Sequence, residues 1–174
     1  GYYYPDHLAL GRELSGAHAA LSELHADRLF MNQAVYAGYS QGASMGALAV
    51  AEHGDWFPRL LLGEGGFDAW SGALAKQYAR TGGRRVLFVC GTERCQKRAP
   101  QSVSSLRHSG VAAELLYARG AGHRPDGPVA DKVREGLRWL LDDSPELSLV
   151  RSGLATNPAT QEGRSLASPA VGAK

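Results

Sequence analysis

Apolar residues recur along the first part of the chain with a period that is typical of helices. From Asp6 to Leu24 they return every three or four residues and fall on one helical face, so a helix is predicted to begin near Pro5 and Asp6. Ala34–Tyr39 is a short apolar run containing Gly38, and Gln41–His53 is rich in Ala, Met and Leu. The second region is therefore predicted to be a strand, a sharp turn and a helix.

The alternation continues to about residue 142. Further strands are predicted at Arg59–Leu62, Arg85–Val89 and Ala113–Tyr117, and further helices at Ala69–Arg80, Val103–Ser109 and Pro128–Asp142. Because strands and helices alternate, we expect an α/β fold with a mostly parallel sheet and flanking helices.

Length and composition indicate one folded domain followed by a tail. The 174 residues are 44% hydrophobic and 21% charged, which is close to the average for globular domains. We expect residues 1–143 to form the domain. Residues 144–174 are dominated by Ser, Pro, Gly, Ala and Thr without a sustained period, and this tail is predicted to be disordered.

The charge distribution argues against two classes of partner. The formal net charge is +2, and the Lys and Arg residues are spread along the chain, so nucleic acid and anionic membrane surfaces are not indicated. Apolar stretches fall short of the roughly 20 residues that a membrane-spanning helix needs. We expect a protein with no membrane span.

Gly38-Tyr39-Ser40-Gln41-Gly42 fits the G-x-S-x-G nucleophile elbow, and it lies between a predicted strand and a predicted helix. Such a turn holds the serine in a strained backbone conformation, and the flanking glycines are expected to avoid collisions with neighbouring backbone. The Gln41 N–H at the start of the helix could face a developing oxyanion. Ser40 is therefore the predicted nucleophile.

His123 is the predicted base for Ser40. It ends Gly120-Ala121-Gly122-His123, a loop that directly follows the last predicted strand, whereas the other five histidines fall in or beside predicted helices. A serine hydroxyl needs such a base at neutral pH.

The elbow and the late Gly-x-Gly-His resemble the α/β-hydrolase superfamily from about Asp6 to Asp142. Gly-Tyr-Ser-Gln-Gly-Ala is similar to the elbows of cutinases and of carboxylesterases and acyl-thioesterases. The resemblance implies Ser40 as nucleophile, His123 as base and the Gln41 backbone as one oxyanion donor.

A serine hydrolase of this type also needs a carboxylate that orients the histidine, and the sequence defines that residue less well. In the superfamily it usually lies in the loop after the strand placed here at Arg85–Val89, commonly as Gly-x-x-Asp, but Arg94 occupies that position. Glu93, one residue earlier, is the first choice. Asp68, after the preceding strand, is the alternative, and Asp126 is a third candidate.

The chain also lacks the strands that precede the elbow in the superfamily. One helix precedes the elbow strand, which would leave that strand at a sheet edge. We therefore expect the C-terminal portion of an α/β-hydrolase domain, completed by a missing N-terminal segment or by a partner.

Cys90 and Cys95 lack the additional ligands of a zinc site. We expect two unpaired thiols, with a small-loop disulfide as the alternative if a turn brings their Cα atoms to about 6 Å. No metal or organic cofactor is implied.

These features predict a serine hydrolase that cleaves a small-molecule carboxylic ester or thioester through an acyl-enzyme on Ser40. A serine peptidase of the same superfamily is one alternative. A non-catalytic or incomplete domain that binds a ligand without turnover is another. Nucleotide binding is disfavoured, because neither G-x-G-x-x-G nor a Walker lysine motif follows a predicted strand.

Overall fold

A computed structural model describes residues 6–25 and 34–142, in which helices and strands alternate throughout. The elements in chain order are α1 (His7–His25), β1 (Val35–Tyr39), α2 (Gln41–Ala49), β2 (Arg59–Gly63), α3 (Gly72–Thr81), β3 (Arg85–Cys90), α4 (Glu93–His108), β4 (Ala112–Tyr117) and α5 (Pro128–Leu141). Every predicted strand is present within one residue of its predicted bounds, and the α/β class is confirmed.

The four strands form one parallel sheet in the order β1-β2-β3-β4. Gly38 is aligned with Leu62, and Leu62 with Phe88, so the strands end at nearly the same height. Within the described residues no strand pairs with the outer side of β1, as expected for an edge strand. The loops after β1, β2, β3 and β4 therefore share one edge of the sheet.

The core has a layer on each face of the sheet. Leu60, Leu62, Val86 and Phe88 belong to the larger cluster, which includes side chains of α2, α3 and α4. The intervening strand residues, such as Leu87 and Val89, join the cluster formed with α5. Successive strand side chains point to opposite faces, and both faces are covered, which explains the nearly continuous apolar runs.

Helix α4 begins ten residues before its predicted start at Val103. Its first half, from Glu93 to Ser102, is polar and contains Pro100, which weakens a sequence-based helix prediction. The structure supplies what the apolar pattern did not show: the Thr92 side chain caps the helix by accepting a hydrogen bond from the Cys95 N–H at 3.3 Å. Cys95 and Ala99 then bury one face of this polar half.

Cys90 and Cys95 form a disulfide, so the prediction of two unpaired thiols is wrong. The turn from β3 into α4 brings their Cα atoms to 5.5 Å, which is within the range that a disulfide needs. Both residues are buried. The bond ties the end of β3 to the first turn of α4 and encloses residues 91–94, which include Gly91 and Thr92.

The predicted tail at 144–174 lies outside the described residues. None of the helices in the described part of the chain is both long and apolar enough to cross a membrane.

We expect reduction of the Cys90–Cys95 disulfide to lower the free energy of unfolding by about 2 kcal/mol, the chain-entropy estimate for so short a loop. Urea unfolding with and without dithiothreitol measures the difference. The variant Cys90→Ala/Cys95→Ala should unfold at the same urea concentration in both buffers. Equal midpoints for the wild-type protein, with reduction verified by thiol titration, would contradict the estimate.

Candidate active site

Ser40 lies in the turn between β1 and α2 with φ 51° and ψ −114°. The predicted strained conformation is confirmed, since a positive φ is unfavourable for a residue with a Cβ. The Ser40 N–H donates to the Gly63 carbonyl at 2.8 Å, which ties the turn to the end of β2.

The two glycines of the elbow have different roles. A Cβ on Gly38 would lie 2.7 Å from the carbonyl carbon of Gly42, so strand and helix approach too closely there for any side chain. A Cβ on Gly42 itself would meet no atom within 4 Å. The expectation of a collision at both glycines is therefore right for Gly38 and wrong for Gly42.

His123 contacts Ser40 directly: its Nε2 is 2.9 Å from the serine Oγ. The loop that carries His123 is tied to the β3–α4 turn, because Gly122 donates its N–H to the Gly91 carbonyl at 3.1 Å. Gly120 and Gly122 both have φ of 74°, a conformation that favours glycine over residues with a side chain. The predicted contact between His123 and Ser40 is confirmed.

The carboxylate beside His123 belongs to Glu64, which directly follows β2. Glu64 Oε2 lies 3.3 Å from His123 Nδ1, and the glutamate side chain is 2% exposed. Glu64 also has a positive φ, of 52°. Among the described residues, Ser40 and Glu64 are the only non-glycine residues with a positive φ. The two strained positions of the described backbone thus lie on either side of one imidazole.

Three donors from the β3–α4 turn hold the Glu64 carboxylate. Oε1 accepts hydrogen bonds from the backbone N–H groups of Gly91 and of Thr92, the latter at 2.8 Å, and Oε2 accepts from the Thr92 hydroxyl at 2.8 Å. Burial alone would raise the pKa of Glu64, but these hydrogen bonds and the one with His123 outweigh it and leave the pKa below its usual value. The carboxylate is therefore ionised at neutral pH.

The three acids predicted from the sequence have other partners. Glu93 begins α4, is exposed, and pairs one helical turn later with Lys97 at 3.0 Å. Asp68 pairs with Arg98 at 2.8 Å, and Asp126 pairs with Arg124 at 3.0 Å. The geometric expectation that Glu93 or Asp68 orients His123 is therefore wrong.

Gly63-Glu64-Gly65-Gly66 is the motif that sequence reasoning missed. It resembles the elbow, with an acid between glycines at a strand end, and it follows β2, one strand earlier than the superfamily pattern suggested. A Cβ on Gly65 would overlap the Ser40 carbonyl oxygen. The glycine after the acid thus allows the β2 loop to lie against the elbow.

Three other histidines make contacts unrelated to Ser40. His18 and His53 each stack on Trp56, with ring centroids 3.9 Å and 4.1 Å from the indole. His108 contacts Ser104 within α4. These contacts agree with the expectation that helix-associated histidines are not the base.

A cavity of about 660 Å³ opens beside Ser40 and His123. Its lining includes the apolar side chains Leu48, Phe67 and Ala69, and Arg94 from the first turn of α4. Such a volume is typical of small-molecule sites.

Glu64, Cys90 and Cys95 have their donor atoms within 4.8 Å of one another. They do not fit a metal ion, because the two sulfurs are bonded to each other and the carboxylate accepts hydrogen bonds on both oxygens.

Comparisons with protein-family models, with curated proteins and with solved structures found no significant match.

We expect Glu64→Gln to reduce stability in a pH-dependent way. The folded-state pKa of Glu64 lies below its unfolded value, so the ionised carboxylate contributes stability above the unfolded value, and this contribution is lost as pH falls through the folded pKa. The difference in unfolding free energy between wild type and variant should therefore be largest above about pH 5 and shrink below about pH 4.

Chemical denaturation at a series of pH values measures this difference. Glu93→Gln is the matched control, because Glu93 is an exposed acid of the same kind outside the Glu64 contacts. A Glu64→Gln deficit that is constant from pH 3 to pH 7 would contradict the assigned ionisation.

Proposed function

We propose that this chain is a serine hydrolase of the α/β-hydrolase type that cleaves a carboxylic ester or thioester through an acyl-enzyme on Ser40. One observation carries the proposal: the hydrogen-bonded series Glu64, His123 and Ser40, with Nδ1–Oε2 and Nε2–Oγ distances of 3.3 Å and 2.9 Å. Each member comes from a different loop at one edge of the parallel sheet. Packing within a single element would not produce this arrangement.

In the proposed reaction, His123 Nε2 accepts the Ser40 hydroxyl proton while Oγ attacks the substrate carbonyl carbon. The carbonyl electrons move to oxygen, and the backbone N–H of Gln41, at the start of α2, is the proposed donor to that oxyanion. The imidazolium then gives its proton to the departing alkoxide or thiolate as the bond to carbon breaks. The acyl group remains on Ser40.

Water completes the cycle with the same groups. His123 removes a proton from the water as it attacks the acyl carbon, and it returns that proton to Oγ when serine departs. Glu64 keeps the Nδ1–H tautomer and stabilises the positive ring at both steps. Its hydrogen bonds from the β3–α4 turn hold it in place for this role.

The order of the residues along the chain supports the class. Serine, acid and histidine follow one another as Ser40, Glu64 and His123, which is the order of α/β-hydrolases and not that of the chymotrypsin or subtilisin types. The G-x-S-x-G turn between β1 and α2 supports the same assignment.

We expect a fluorophosphonate probe to label Ser40 quickly, because only an activated serine reacts at such a rate. Mass spectrometry of the labelled peptide locates the modification, and Ser40→Ala should abolish it. Glu64→Gln should lower kcat for a 4-nitrophenyl ester by on the order of 10⁴-fold, the scale for loss of an orienting carboxylate. Glu93→Gln should retain wild-type kcat.

An unlabelled Ser40 in a protein with an intact circular dichroism spectrum would overturn the proposal in favour of a non-catalytic binding domain. Labelling of Ser40 with cleavage of peptide amides and no cleavage of esters or thioesters would indicate a peptidase instead.

A further inference from the structure

The cavity beside Ser40 contains a cation that no described acid neutralises. Asp68, also in the lining, is paired with Arg98 at 2.8 Å, and Glu64 is engaged by its hydrogen bonds. Among the described residues none forms a hydrogen bond or ion pair with the side chain of Arg94. Arg94 is the one Lys or Arg of the described cavity lining.

The fold itself gives no reason for a cation at this position. Arg94 is the second residue of α4, and positive charge in the first turn of a helix is unfavourable because the helix dipole is positive there. The neighbouring acid, Glu93, is paired with Lys97. Within the described part of the chain, the charge of Arg94 is thus available to a group that enters the cavity.

The rest of the cavity lining and the chemistry of the guanidinium indicate what kind of molecule would carry a group that binds Arg94. Leu48, Phe67 and Ala69 offer apolar contact. A guanidinium is planar and binds a carboxylate through two parallel hydrogen bonds. A volume of about 660 Å³ is large enough for a small ester that carries a second functional group.

We propose that Arg94 is a specificity-determining residue that binds a carboxylate on the substrate, so that the preferred substrates are esters or thioesters bearing a free carboxylate, such as half-esters of short dicarboxylic acids. This inference rests on the proposed hydrolase function. Ser40 performs the reaction, and Arg94 selects the molecule that reaches it.

Two matched pairs of esters test the inference. The mono-4-nitrophenyl ester of glutaric acid is compared with 4-nitrophenyl pentanoate, which places the carboxylate on the acyl side. The butyrate ester of 4-hydroxybenzoic acid is compared with phenyl butyrate, which places it on the leaving group. The wild-type protein should prefer the anionic member, by kcat/KM, in at least one pair.

Arg94→Gln should lower kcat/KM for that anionic ester by about 10-fold, a modest value because the side chain is exposed, and should change kcat/KM for its neutral partner by less than about twofold. The loss should fall mainly on KM, since the carboxylate is bound in both ground and transition states. Arg94→Lys should recover part of the preference, and added salt should weaken it in the wild type. Lys76→Gln removes one exposed positive charge on α3, outside the cavity lining, and should leave the preference unchanged.

The outcomes separate this inference from the function on which it rests. Rapid labelling of Ser40 and hydrolysis of neutral esters, with no anionic preference in either pair or with the preference intact in Arg94→Gln, overturns the role of Arg94 and leaves the hydrolase standing. Equal loss of preference in Lys76→Gln also overturns it, because a general field would then account for the effect. Absence of labelling and of all hydrolysis overturns both.

Discussion

The candidate site depends on how the chain holds one buried carboxylate. Glu64 is almost fully removed from solvent, and an isolated ionised carboxylate there would be unfavourable. The N–H groups of Gly91 and Thr92 and the hydroxyl of Thr92 solvate it in place of water. These three hydrogen bonds allow His123 to have a charged partner that is buried. They also hold the loop after β2 against the β3–α4 turn.

The parallel sheet brings the remaining parts to that carboxylate. Ser40 donates its N–H to the end of β2, Glu64 donates its N–H to the Val89 carbonyl in β3, and Gly122 bonds to Gly91. Each loop at this edge is therefore fixed by backbone hydrogen bonds to a neighbouring strand or loop. The contact between His123 and Ser40 follows from these ties although 83 residues separate the two side chains in sequence.

The sequence predicted the α/β class, the parallel sheet and two of the three residues that meet at the candidate site, and the failures have physical causes. Strands β1 to β4 were visible because both sheet faces are buried, and Ser40 and His123 were visible because each has a glycine-rich loop of its own. Glu64 was missed because its position beside His123 depends on contacts between loops that follow different strands, and the spacing of residues along the sequence does not show such contacts. The start of α4 was missed because a cap at Thr92 and a buried disulfide stabilise a segment whose own composition is polar.

The two strained residues on either side of His123 set a limit on the stability of this fold. A side chain held at positive φ costs of order 1–3 kcal/mol, and glycine at either position would relieve that cost. Glycine would also delete the hydroxyl or the carboxylate. At Glu64 the hydrogen bonds of the carboxylate offset that cost, whereas the Ser40 hydroxyl has its contact with His123 alone to set against it. Selection for stability alone would thus favour the loss of the hydroxyl, and a thermostabilised descendant of this protein should retain Ser40 only under a separate requirement for that hydroxyl.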